Sequence, residues 1–290
     1  MLRRMNETWN SIWFSAVAPQ PVACFRILLG ILLLIDALML APNLIMLLGP
    51  KGVMEPRVSY LLLRAPHVDL LRLLPDTTSW LVLFYVAYLV ATVLFILGLH
   101  TRAASVAVFL GLSTLQTRNV MLLGTGDSFL RIMSFYMMFA TSGAELSLDA
   151  RQRSGAPPEV PAWPIRLMQI QLSVVYLASA GWQLAGETWR SGEALYYISR
   201  LYDFQRFWVP YLFEHMWTIK LLTWSTILVE LIIGIGLWIT PIRRYVMVLG
   251  LCFHLFIEIV LNLGLLNWAL LATYVLFLTP ESIERLRRKR

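Results

Sequence analysis

The chain has 290 residues, of which 58% are hydrophobic and 14% charged, with a formal net charge of +7. Soluble domains carry about 25% charged residues, so the composition excludes a soluble globular protein and points to one built into a bilayer. The basic excess reads as loop arginines holding one side of a membrane protein in the cytoplasm, and nucleic acid is not an expected partner.

Taken in chain order, residues 1–20 carry Arg3, Arg4, Trp9, Trp13 and Phe14 and suit a short helix lying in the headgroup layer. A signal peptide is not expected, because the apolar run that follows is too long and lacks a small-residue exit. Apolar stretches then mark about eight spans, each judged against the roughly 20 residues that cross a bilayer core. The first, 22–41, contains Arg26 and Asp36, and a long loop over 42–79 follows. The second and third cover 80–99 and 103–123, the third closing on Gln116, Arg118 and Asn119. A Gly124-Thr125-Gly126-Asp127 turn opens the fourth, which runs to 143. After a proline-rich loop over 148–162, the fifth runs from Ile165 to Gly192. Residues 192–217 alternate aromatic rings with Arg200, Arg206 and His215, the composition of an interfacial segment. The sixth and seventh cover 218–239 and 245–263, and the eighth covers 265–278 beside Asn267 and Trp268. The tail ends in a basic run over 281–290. Cys24 and Cys252 both lie in apolar spans and read neither as a disulfide framework nor as a metal pair.

Loop charge sets the expected orientation. With both termini cytoplasmic, Arg102, Arg151, Arg153, Arg243, Arg244 and the tail fall on the cytoplasmic side. The 42–79 loop, the Gly124 turn and the 192–217 segment then share the opposite face. The expected fold is a single all-α polytopic integral membrane domain over 1–290, multi-pass in the cytoplasmic (inner) membrane, with interfacial helices.

Polar residues inside spans are the first place to look for function. Gln169, Ser173, Tyr176, Ala180 and Gln183 recur at steps of four and three, so they share one face of the fifth helix. Amides and a phenol cannot face lipid cheaply, so that face must look into protein or a polar cavity. Asp127 and Arg131 are four apart and can pair on one helix face; equally, Asp127 can cap its helix after the glycine turn. Glu230 is mid-span and needs a proton or an arginine such as Arg26 or Arg131. Gly250, His254, Glu258 and Asn262 repeat every four residues as a second stripe, with His254 and Glu258 placed as a proton relay or packing pair. A metal is not expected there, since no third ligand is visible. Phosphate loops, GxSxG, HExxH and CxxC are absent from the sequence. Four helices with polar stripes point to one enclosed cavity open to the extracytoplasmic side.

The run Cys24-Phe25-Arg26-Ile27-Leu28-Leu29-Gly30 resembles the opening signature of the horizontally transferred transmembrane (HTTM) domain, a family related to vitamin K-dependent gamma-carboxylases. The stretch from Arg118 to Ala150 is similar to its second signature: Arg-Asn, a Gly-Asp turn, Leu-Arg and a closing Ser-Leu-Asp-Ala. The segment from Gln169 to Tyr197 resembles its third. The resemblance implies a helical membrane domain with a site open to the extracytoplasmic side. In the carboxylases a lysine near the end of the third signature deprotonates vitamin K hydroquinone; the matching position here is Gln183. Lys51, Lys220 and Lys289 all lie outside that helix, and an amide does not accept a proton as a tuned lysine does. The carboxylases' soluble substrate domain is not expected after Arg290.

Two readings stay open. In the first, the chain is a quinone-dependent, carboxylase-like membrane enzyme acting on a quinone or lipid-borne substrate, or on an exported peptide. His254, Glu258 and Asp127 would carry its proton chemistry, and Arg118, Asn119, Arg131, Gln169, Tyr176, Gln183 and Glu230 would line the cavity. In the second, it is a non-catalytic membrane subunit serving maturation, export or immunity of a partner protein.

Overall fold

The computed structural model describes residues 7, 9–10, 12–63, 67–207, 209 and 211–279. Residues 1–6, 8 and 11 of the expected N-terminal interfacial helix and the whole basic tail at 281–290 lie outside those residues. Helices dominate the described chain, and its two short strands, β1 (Ala16–Val17) and β2 (Val160–Pro161), pair antiparallel. In order the helices are α1 (Gln20–Leu40), α2 (Leu44–Leu48), α3 (Pro56–Leu62), α4 (Thr78–Leu97), α5 (Thr101–Arg118), α6 (Thr125–Met137), α7 (Leu148–Arg151), α8 (Trp163–Ala185), α9 (Glu187–Arg190), α10 (Ala194–Ile198), α11 (Met216–Gly236), α12 (Arg243–Val260) and α13 (Leu266–Thr273). A 3-10 turn, Tyr274–Phe277, continues α13.

Helices occupy all eight segments expected to span. Among the described residues, three are long and apolar enough to cross a membrane: Gln20–Leu48, which joins α1 to α2, together with α4 and α11. The fourth expected span is short, 13 residues in α6, and α13 with its 3-10 turn forms a short apolar helix, Leu266–Phe277. The fifth is corrected at its C-terminal end. It stops at Ala185, where Gly186 turns to extended backbone (ψ 134°), and Glu187–Arg190 forms a separate turn of helix. Glycine has the weakest hold on helical geometry after proline, so the break falls there.

The chain divides into two compact units, one comprising 1–167 with 278–290, the other Met168–Phe277. In the first, α1 and α4 pack along each other and α4 along α5. Its polar lock is built on Arg26, which is fully buried and donates to the Ser142 and Leu146 carbonyls at 2.5 Å each. These carbonyls belong to an irregular turn with nothing else in the helix ladder to satisfy them, and a buried guanidinium needs acceptors in return. Gly98 ends α4 in the left-handed conformation (φ +68°), and a Cβ there would fall 2.4 Å from the Ser147 Cβ. Asp149 then starts the next helix: its carboxylate accepts from the His100 and Thr101 backbone N–H groups at 2.8 Å and from the Thr101 hydroxyl at 2.7 Å.

Burial alone would push the Asp149 carboxyl up, but the Thr101 and His100 donors outweigh it and hold the group below its ordinary range. A depressed folded-state pKa gives stability that is present above the ordinary aspartate range and is lost as pH falls through the folded value. Asp149→Ala should therefore cost about 1 to 2 kcal/mol at neutral pH, as loss of a strong cap does. It should also flatten the acid limb of a melting-temperature-versus-pH curve for the protein in detergent. An unchanged acid limb would remove Asp149 as its source.

Candidate functional site

The second unit is assembled on the polar face of α8, each member of which meets a partner from another element of that unit. Gln169 donates from Nε2 to the Leu276 carbonyl at 2.7 Å, and Ser173 accepts from the Trp238 indole at 2.8 Å. Gln183 donates to Glu230 Oε1 on α11 at 3.2 Å and to Ser179 Oγ at 3.2 Å. Tyr176, 2% exposed, lies between these and makes the shortest contact, 2.5 Å to His254 Nε2 on α12.

From Tyr176 a continuous hydrogen-bonded chain runs through the unit. The Tyr274 hydroxyl is 2.9 Å from that of Tyr176, and His254 Nδ1 is 3.0 Å from Asn267 Oδ1. Asn267 Nδ2 donates to Glu258 Oε2 at 2.9 Å, and Glu258 Oε1 pairs with Arg206 at 2.8 Å. Arg206 also donates to Asn262 Oδ1. The direction of every bond follows from its far end. A carboxylate paired with arginine only accepts, so the Asn267 amide must present its NH2 to Glu258 and its oxygen to the ring. That oxygen requires the proton on His254 Nδ1, which leaves Nε2 to accept from Tyr176, and the Tyr176 oxygen to accept from Tyr274. The chain thus polarises one way, from the buried Tyr274 toward Glu258.

His254 and Glu258, expected as a proton relay or packing pair, are connected through a third residue. Asn267 stands between them, and an amide transmits orientation but does not readily pass a proton. The groups able to exchange one are Tyr274, Tyr176 and His254. Asn262, expected as the last member of the helical stripe, lies beyond α12, where the chain turns extended at Leu261, and serves that end through Arg206. That end is fixed by backbone: Arg206 N–H donates to the Val260 carbonyl and Asn262 N–H to the Phe204 carbonyl, with Gln205 bridging to Leu261. The 192–217 segment is therefore stitched to the C-terminal end of α12.

Glu230 accepts a hydrogen bond from the Gln183 amide, and among the described residues no arginine pairs with it, so of the two partners expected for it the proton stays open. Its Oε2 on α11 and the Gln183 Oε1 on α8 are both buried without a hydrogen-bond partner. Arg26 is committed to the Ser142 and Leu146 carbonyls of the first unit.

The other expected site residues lie in the first unit. Asp127 is a helix cap: its carboxylate accepts from the Gly124 N–H at 2.7 Å, while Gln116 donates to its backbone carbonyl at 3.1 Å. No ion pair joins it to Arg131 among the described residues. Arg118, 3% exposed, donates to the Leu48 carbonyl and pairs with Asp76 at 2.7 Å, and Asn119 donates to the Leu47 carbonyl at 3.0 Å. Both residues fasten the 42–79 segment to the end of α5, together with the Ser59 hydroxyl, which donates to the Thr117 carbonyl at 2.7 Å.

Sequence reasoning missed Tyr274 and gave Asn267 and Arg206 no role. Signals for two of them were present. Asn267 is an amide inside an apolar run, and Gly250 sits one turn before His254. A Cβ on Gly250 would lie 2.1 Å from the Tyr274 hydroxyl oxygen, so the glycine admits that ring to the chain.

The profile of the HTTM domain matches residues 14–281, nearly the whole chain. No solved structure matches it.

Gly250→Ala should displace Tyr274 and destabilise the protein by about 1 to 3 kcal/mol, the usual cost of overpacking. Tyr274→Phe should cost about 1 kcal/mol, one hydrogen bond. Because both act on the same hydroxyl, the double variant should lose less than their sum in thermal unfolding. Strict additivity would show that Gly250 does not position Tyr274.

Proposed function

Because the chain belongs to the HTTM domain family, and so is a membrane protein, we propose that it is a carboxylase-like membrane enzyme whose second unit carries an acid–base site for a hydroxyl-bearing, quinone-type or lipid-borne substrate. The observation that carries this reading is the pair of buried oxygens without hydrogen-bond partners, Gln183 Oε1 and Glu230 Oε2. Gln183 lies on the α8 face that two turns earlier presents Tyr176 to His254, and Glu230 meets it from α11. A bound quinol-type group would supply the hydroxyl hydrogens those oxygens lack, together with its own redox chemistry. The protein's part is then to orient and to move protons. Gln183 and Glu230 fix the hydroxyl end. Tyr176 and Tyr274 hold protons beside His254, which accepts one at Nε2 while Asn267, polarised by Glu258 and Arg206, steadies the Nδ1–H. Gln183 occupies the position of the carboxylases' lysine, so glutamate gamma-carboxylation is not part of this proposal. We take all eight helical segments as spans of the cytoplasmic membrane, with both termini cytoplasmic and the 192–217 segment outside, where an exported peptide would reach it.

A second reading, a non-catalytic membrane subunit for maturation, export or immunity of a partner, is favoured by a specific observation. Arg118, Asn119 and Asp127 bind their own chain, and the His254 chain is satisfied by neighbouring side chains throughout.

Mass spectrometry of small molecules co-purifying with the protein separates the two. The enzyme reading expects a hydroxylated quinone-type or lipid-borne compound, depleted at least about 10-fold in a Gln183→Leu/Glu230→Leu variant, the scale of two hydrogen bonds. His254→Gln retains hydrogen bonding but not basicity. It should leave the melting temperature near that of the natural protein and reduce turnover of that compound by about 100-fold or more, the contribution of a general base. No retained compound, with both variants matching the natural protein, would leave the subunit reading standing.

A further inference from the structure

We propose that the first unit carries a binding site for the headgroup of an anionic phospholipid, in a groove at the end of α4. The groove has a volume of about 680 Å³. Apolar Ile27 of α1 with Ile96 and Leu97 of α4 wall the groove together with residues 144–148, Arg151 and Arg153. Arg26 holds the adjoining turn through the Ser142 and Leu146 carbonyls. A smaller hollow of about 170 Å³ shares Arg153 and Ala144 and adds Arg102.

The electrostatics of this corner are unbalanced. Among the described residues, the guanidinium groups of Arg102, Arg151 and Arg153 make no hydrogen bond or ion pair. Two carboxylates are close by: Glu145 lines the groove itself and Asp149 lines the smaller hollow. Asp149 is taken up by His100 and Thr101, and Glu145 has an interaction of its own. Two free cations in the groove, Arg151 and Arg153, with Arg102 in the adjoining hollow, beside an apolar wall fit a ligand that is anionic at one end and apolar at the other. The position selects the lipid. Leu97 is the last residue of α4, and Ile27 lies in α1, both parts of helices long and apolar enough to cross a membrane. The wall is thus the end of a membrane helix, where acyl chains meet headgroups, and basic pockets at such ends suit anionic lipids. A free phosphate would use the arginines and gain nothing from Ile96 and Leu97.

The test uses the full chain, delipidated in neutral detergent, with native mass spectrometry and thermal unfolding after addition of phosphatidylglycerol, phosphatidylcholine or inorganic phosphate. Phosphatidylglycerol should be retained and should raise the melting temperature, with phosphatidylcholine and phosphate far weaker. Arg151→Ala/Arg153→Ala should weaken its retention about thirty-fold, at about five-fold per arginine, while Arg151→Lys/Arg153→Lys stays within a few-fold of the natural protein. Leu97→Gln, at a residue already 48% exposed, should weaken the lipid without altering any effect of phosphate. Comparable protection by inorganic phosphate would overturn the lipid assignment. Unchanged phosphatidylglycerol retention in a folded Arg151→Ala/Arg153→Ala protein would overturn the site, leaving those arginines as topology charges alone.

Discussion

The ion pair between Arg206 and Glu258 fixes the state of everything inward of it in the second unit. By holding Glu258 as an acceptor, it forces the Asn267 amide into one orientation, the His254 ring into one tautomer and the Tyr176 hydroxyl into one direction. In a low-dielectric interior each of these choices is costly to reverse, because reversal leaves a buried donor facing a donor or an acceptor facing an acceptor. A surface pair of modest strength thus sets the chemical character of a ring many atoms away. The 192–217 segment, which brings Arg206 to the end of α12, is accordingly part of the site rather than a tether between helices.

Polar residues in the helical segments divide into two physical kinds. Arg26, Arg118, Asn119 and Asp127 satisfy backbone groups where helices end or the chain turns, and their chemistry is exhausted in doing so. Tyr176, His254, Asn267 and Tyr274 satisfy one another across helices. Only the second kind retains titratable groups facing titratable groups, the condition for moving a proton.

Much of this was legible in the sequence, for reasons that can be named. The helical segments and the α8 stripe follow from apolar length and a three-four spacing, which survive any tertiary arrangement. That Tyr176, His254 and Glu258 matter follows from the cost of placing them in apolar surroundings. Their partners were not legible. Periodicity says which face a residue occupies and nothing of what comes to meet it, so Tyr274, from a short terminal turn, stayed hidden behind Gly250. The same blindness made Arg118 and Asn119 look like free donors, because the carbonyls of Leu47 and Leu48 that they bind are backbone groups and leave no mark on side-chain pattern. The break at Gly186 was readable as a weak point but not as a stop.

The central claim is that the chain from Tyr274 to Glu258 polarises in one direction and holds His254 neutral with its proton on Nδ1. Nitrogen-15 NMR of the histidine rings in the bilayer-embedded protein tests it directly, with the His254 signal assigned by its loss in His254→Gln. A protonated Nδ1 and an unprotonated, hydrogen-bonded Nε2 are expected at neutral pH. A proton on Nε2, or an imidazolium, would contradict it.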